Sequence, residues 1–271
     1  THATFSGTTS NANTFAAATF PTYQAAVAAD GPWAYYKSQE AQSSAGTSQA
    51  TDATANSHHG TYNGSTNGSV LRWKLDNDTK DSSGAANPAT LVGAPTWSAG
   101  KYGQGVNLNG TSQFVTSARS AVDTSASFSV SAWVKLDDLT GTRTVVSQDG
   151  TNLSGFFLQY SAVLSQWLFS MHHSDLFNAG PGDLDTAGGG TPSTNWTHLV
   201  GVHDRSSQHV KLSVNGTEVA TTAHLNANSW KATGPLVIGR GKFHAVNADF
   251  VDGTIDDLRV FQHVLSGAET A

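Results

Sequence analysis

The chain has 271 residues, a formal net charge of −6 and only 13% charged residues, about half the usual share. It carries no basic stripe to meet phosphates and no cysteine, which excludes nucleic acid and anionic lipid as partners, and also disulfides, thiolate metal sites and a catalytic cysteine. No stretch approaches the roughly 20 apolar residues of a membrane span. The surplus of Ser, Thr, Asn, Gly and Ala gives a neutral, hydrogen-bonding surface, which suits a secreted or cell-surface protein. The start at Thr1 without Met reads as the product of signal-peptide removal, or as a trimmed chain.

Residues 1–29 alternate short aromatic pieces, such as Ala3-Thr4-Phe5 and Asn13-Thr14-Phe15, with Ser, Thr and Asn spacers. They lack the apolar density for a core of their own. They are expected to form an extended N-terminal segment that pairs with a sheet edge, either of this domain or of a neighbouring copy. Residues 30–67 contain an internal echo. Gly31 to Lys37 and then Asp52 to Gly64 parallel Gly68 to Leu75 and then Asp81 to Gly93, which reads as a degenerate, duplicated opening of one fold.

Residues 68–271 consist of short alternating runs bounded by Gly, Asn, Asp and Ser, the pattern of an antiparallel sandwich. Strands are predicted at Ser127 to Leu136, Gly155 to Tyr160, Leu164 to Met171, Thr197 to Asp204, His209 to Val214, Pro235 to Gly239 and Gly253 to Phe261. In the first of these, Phe128, Val130, Ala132, Val134 and Leu136 share one face, with Trp133 the one large residue opposite. Asn215-Gly216 between two runs predicts a type I′ hairpin turn. The Gly/Pro/Asp-rich stretch from Phe177 to Asn195 reads as a long loop, either a recognition element or a plain connector.

Three segments in order carry a family resemblance: Asp81-Ser82-Ser83-Gly84; Tyr102 to Gly110 (YGQGVNLNG); and Gly253 to Phe261 (GTIDDLRVF) followed by Leu265-Ser266. With Ser129 to Val134 and Trp196 to Val200 between them, residues 68–270 resemble the laminin-G-like, concanavalin A-like jelly-roll family. The resemblance implies an all-β fold of two packed antiparallel sheets, six or seven strands each, with first and last strands adjacent. It also implies a calcium ion between the first loop and the last strand, held by Asp81 and Asp256 with Asp257 as substitute. In the other reading Asp81 caps a turn and Asp256 accepts from backbone amides. Separately, Ala3-Thr4-Phe5 and Asn13 to Ala17 resemble the start of camelysin-like biofilm-fibre proteins of Gram-positive surfaces. That resemblance implies strand donation from one copy to the next, with Phe5, Phe15 and Phe20 as anchors in a head-to-tail polymer.

No catalytic residues are assigned. The three Glu residues, Glu40, Glu218 and Glu269, form no strand-borne carboxylate cluster, and the neighbours Asp256 and Asp257 are expected on opposite faces of a strand. No nucleophile elbow or phosphate loop appears. The eleven His residues, including His172-His173, His198, His203 and His209, fit no zinc spacing and read as surface or hydrogen-bonding groups. For sugar binding, Trp167, Trp230, Phe177, Asn178 and Asp183 are the candidates, as flat apolar faces beside hydroxyl partners, whereas Trp133 and Trp196 read as core. The leading expectation is a non-enzymatic surface protein that polymerises through its N-terminus. The alternative is a monomeric lectin-like module that binds polysaccharide or a cell-surface glycan, and a third reading is a domain of a larger secreted glycosidase.

Overall fold

The computed structural model describes residues 47–50, 60–63 and 69–270. The chain divides into two units, Thr1–Asn63 and Gly64–Ala271. In the first, β1 (Thr47–Ala50) pairs antiparallel with β2 (Gly60–Asn63). The expected anchors Phe5, Phe15 and Phe20, the whole segment 1–29 and most of the duplicated opening lie outside the described residues.

The second unit runs β3 (Ser69–Trp73), β4 (Ala89–Val92), β5 (Thr96–Ala99), β6 (Gln104–Asn109), β7 (Phe114–Ser117), β8 (Phe128–Leu136), β9 (Arg143–Asp149), β10 (Ser154–Ser161), β11 (Gln166–His172), β12 (Leu184–Gly189), β13 (Thr197–Asp204), β14 (His209–Val214), β15 (Thr217–Ala223), β16 (Leu236–Ile238), β17 (Gly241–Phe243), β18 (Val246–Ala248), β19 (Asp252–Phe261) and a closing turn of helix, α1 (Gly267–Thr270). Two antiparallel sheets result. One has the order β12-β11-β10-β9-β16-β7-β4 and the other β15-β14-β13-β8-β19-β6-β5, with β3 alongside the second half of β19. First and last strands are therefore neighbours: Trp73 faces Leu258 and Leu71 faces Val260.

Alternation explains the sandwich. The odd-face residues of β8, Phe128, Val130, Ala132, Val134 and Leu136, are all buried, and on the facing sheet so are Phe156, Leu158, Trp167, Phe169 and Met171. Phe128 lies 5.0 Å from Phe156 and 6.1 Å from Phe169, centroid to centroid, which joins the sheets through aromatic contacts. Gly201 of β13 makes room for this cluster, because a Cβ there would stand 2.3 Å from Phe169 Cδ2. The predicted hairpin turn is present, with φ of 50° at Asn215 and 79° at Gly216.

Two sequence expectations change. The stretch read as a long loop from Phe177 to Asn195 contains β12, an edge strand in register with β11 through Trp167↔Gly189 and His172↔Leu184. Its glycines are accommodated because the edge packs tightly: a Cβ on Gly188 would meet Leu168 Cδ2 at 2.7 Å. The second change concerns Trp167. It alternates with Phe169 and Met171, is 0% exposed and packs edge-on against Tyr160 at 5.8 Å, so its ring belongs to the core and offers no face to a sugar. Conversely, Trp133 and Trp196, read as core, are only partly buried.

Candidate functional site

Three segments are tied together at one end of the seven-stranded sheet. The first is the turn at residues 150–153 between β9 and β10. The second is the loop at 173–183 between β11 and β12, and the third is the β17–β18 hairpin. Asp175 fastens the first two, accepting from Thr151 N at 2.6 Å on Oδ2 and from Asn152 N at 2.8 Å and Leu153 N at 2.9 Å on Oδ1. The loop is closed on itself by His173 N to Asp183 O at 2.9 Å and by Gly180 N to Asp183 Oδ2 at 2.8 Å. Asp183 thus serves as the loop's clasp. The hairpin is held by Lys242, whose Nζ donates to Gly150 O at 3.1 Å and pairs with Asp149 Oδ2 at 3.3 Å, and by Ala245 N to Asn152 O at 2.7 Å. Asp149 is itself buried against Arg240, Nη1 to Oδ1 at 2.8 Å.

What these ties hold outward is a run of rings. Phe177 is 52% and Phe243 37% exposed, and His244 is exposed between them. His244 stacks on Phe243 at 4.0 Å and lies 5.6 Å from Phe177, while the buried His172 backs Phe243 at 6.2 Å. Burial holds the His172 imidazole below its ordinary pKa, so the base of the run is neutral at physiological pH. The hairpin tip places His244 and Ala245 at φ of 49° and 62°, a type I′ turn built without Gly or Asn. Such backbone strain persists where surrounding contacts over-determine it.

Of the predicted sugar residues, Phe177 and Asn178 are exposed on this loop, and Trp230 braces it from beneath. Its Nε1 donates to His172 O at 2.9 Å, and the point where a Cβ on Gly150 would lie is 2.5 Å from Trp230 Cη2 and 2.9 Å from Asp175 Oδ2. Trp230 is half-buried and its polar atom is already used. Phe243 and His244 were not anticipated, since the hairpin tip has no Gly, Asn or Asp to announce it.

A cleft of about 660 Å³ lies on the outer face of the eight-stranded sheet, lined by residues including Arg72, Tyr102, Trp133, His198, Asp256 and Asp257. A β-bulge explains why both aspartates reach it. Pairing of β19 with β8 shifts between Asp256 and Arg259, and Asp257 has φ of 41°, so the two neighbours do not diverge as expected of a regular strand. Their oxygens are engaged. Asp256 accepts from Tyr102 N at 2.8 Å and Asp257 N at 2.7 Å, and burial raises its pKa. Asp257 pairs with Arg72 Nε at 3.2 Å and Arg259 Nη2 at 2.6 Å. Trp133 is stacked on His198 at 4.9 Å and capped by Lys101 Nζ at 4.3 Å.

Asp81 accepts from Arg72 N at 3.1 Å and Ser83 N at 2.8 Å on Oδ1, and from Asn87 N at 3.0 Å on Oδ2. Calcium needs six to eight converging oxygens. Asp81, Asp256 and Asp257 instead face amide and guanidinium donors and do not form a converging ligand group, so as arranged they do not fit the ion. Among the described residues, the group of His, Asp or Glu that does converge is His173, Asp185 and His224.

Two antiparallel sheets in this order define a jelly-roll sandwich. Residues 109–271, more than half of the chain, match the family described as the concanavalin A-like lectin/glucanases superfamily (Laminin_G_3), and the chain belongs to that family. No curated protein matches it. Among solved structures it is similar to domain 4 of AbnA, a GH43 extracellular arabinanase from Geobacillus stearothermophilus, in complex with arabinotriose, at 23% identity and a TM-score of 0.49, covering 74% of this chain and 96% of that one. It is also similar to the binding domain of botulinum neurotoxin serotype C1 (12% identity, TM-score 0.59, 74% of this chain and 50% of that one). A structure titled for the dependence of botulinum neurotoxin type C cell entry on two ganglioside molecules matches at 12% identity and a TM-score of 0.58, over 74% and 49%. The chain spans about half the length of these toxin chains. Nothing matched supports the camelysin-like resemblance of the N-terminus. Among the described residues no helix is long and apolar enough to cross a membrane.

Proposed function

We propose that this chain is a non-catalytic carbohydrate-binding module of an extracellular protein, which takes a neutral glycan on the surface formed by Phe177, His244 and Phe243. The observation that carries the reading is the run of exposed rings on two tied segments, His244 stacked on Phe243 and tilted against Phe177. Aromatic faces stack on the C–H faces of sugars, and a surface held rigid before binding loses little entropy on association. Asn178 and Asn247, both exposed, offer amide donors and acceptors to hydroxyls beside the rings. The low charge content favours a neutral ligand over an anionic one. The interaction of a toxin of similar fold with gangliosides is consistent with a glycan-binding use of this sandwich.

The module is non-catalytic in this reading because the adjacent carboxylates of the opposite cleft are spent on amides and arginines. Filament assembly, the leading expectation from sequence, depends on Phe5, Phe15 and Phe20, which lie outside the described residues, and glycan binding stands in its place. The test is the full chain on a panel of immobilised neutral polysaccharides, beside the double variant Phe177→Ala/Phe243→Ala. Selective binding by the parent and none by the variant, at equal melting temperature, is expected. Silence of the parent across the panel, or equal binding by both, refutes the reading.

A further inference from the structure

Away from the ring surface, the outer strands of the two sheets approach each other at β12 and β15, where Thr222 Oγ1 donates to Thr186 O at 2.9 Å. Three side chains from separate segments converge there: His173 just past β11, Asp185 in β12 and His224 just past β15. His173 Nε2 lies 2.8 Å, and His224 Nδ1 2.9 Å, from the same oxygen, Asp185 Oδ2. All three potential ligand atoms fall within 4.8 Å of one another. A zinc-type ion with bonds of about 2.1 Å separates tetrahedral ligand atoms by about 3.4 Å, so each imidazole–carboxylate pair opens by about half an ångström to admit one.

His173 Nε2 is also 3.3 Å from the side-chain amide of Asn228, which, turned so that its oxygen faces the ring, places a further oxygen beside the group. His224 is 0% exposed, and its Nε2 has no hydrogen-bond partner. Its Nδ1 is held facing Asp185, so the imidazole presents that nitrogen, and not Nε2, to the group.

We propose that His173, Asp185 and His224 bind a divalent transition-metal ion of the zinc type, fastening β11 and β12 of one sheet to the end of β15 in the other. Two imidazoles and one carboxylate suit zinc, nickel or copper rather than calcium or magnesium, which take oxygen cages. The side chains of His173 and Asp185 are 22% and 23% exposed, so the ion is reachable from solvent and water completes its coordination. His173 also opens the loop that carries Phe177, so the ion would pin that loop at its base; the site itself does not depend on the glycan-binding reading.

The full chain, stripped with EDTA, is titrated with zinc chloride by calorimetry and with cobalt(II) by visible absorption. The parent is expected to take up one equivalent that His173→Ala and Asp185→Asn each bind more than about tenfold more weakly. Cobalt is expected to give the intense spectrum of a four-coordinate site, and zinc to raise the melting temperature of the parent alone. Both test positions are partly exposed, which avoids the folding risk of replacing the buried His224. No stoichiometric uptake by the parent, or uptake unchanged in both variants, overturns the site.

Discussion

The turn between β13 and β14 hangs on one carboxylate. Asp204 Oδ1 accepts from Ser206 N at 3.0 Å, Ser206 Oγ at 2.6 Å and Ser207 N at 3.2 Å, and the residue is 8% exposed. Burial by itself pushes this carboxyl up, but the hydrogen bonds from Ser206 and Ser207 outweigh it and bring the pKa from 3.8 down to about 2. The folded value lies below the unfolded one, so the stabilisation is present above about pH 4 and disappears as the pH falls to about 2. The gap between 3.8 and about 2 corresponds to about 2 kcal/mol at neutral pH. Asp204→Asn keeps an acceptor oxygen and removes the charge. Urea unfolding followed by tryptophan fluorescence is expected to find the variant about 2 kcal/mol less stable at pH 7, with the difference roughly halved at pH 3. A difference that is the same at both pH values, or absent at pH 7, would refute the claim that the ionised carboxylate holds the turn.

Trp167→Ala is expected to cost about 3–5 kcal/mol of folding stability in the same assay, with glycan affinity per folded molecule unchanged; a selective loss of binding would return Trp167 to the site. Asp175→Ala releases the amides of Thr151, Asn152 and Leu153, and is expected to weaken glycan binding about tenfold through lost preorganisation. An unchanged binding isotherm would mean that the ring surface works without its clamp.

Much of the scaffold was legible because its strands bury one face. Thr197–Asp204 and His209–Val214 match their predicted bounds, and Asn215-Gly216 forms the expected turn. Strand β9 was missed for the opposite reason: from Thr144 to Asp149 every residue is buried, so no alternation marks it. Trp167 was misread although the signal was present, because the strand predicted from Leu164 to Met171 puts it on one face with Phe169 and Met171. The bulge at Asp256 and Asp257 leaves no trace in composition, and only the register of β19 against β8 reveals it. Convergence of His173 and Asp185 across 12 residues with His224 a further 39 away depends on two sheet edges meeting, which no local spacing encodes. Phe177 and Asn178 stood out in the sequence as an aromatic and an amide in a Gly/Pro-rich stretch, whereas Phe243 and His244 became visible only once the hairpin stood beside it.

The most direct test of the glycan-binding surface is NMR on the full chain carrying ring-labelled Phe and indole-labelled Trp, titrated with a polysaccharide fragment that it retains. Ring signals of Phe177 and Phe243 are predicted to shift on saturation while the indole of Trp133, in the opposite cleft, stays in place. Movement of Trp133 with Phe177 and Phe243 unmoved would contradict the account and assign binding to the cleft.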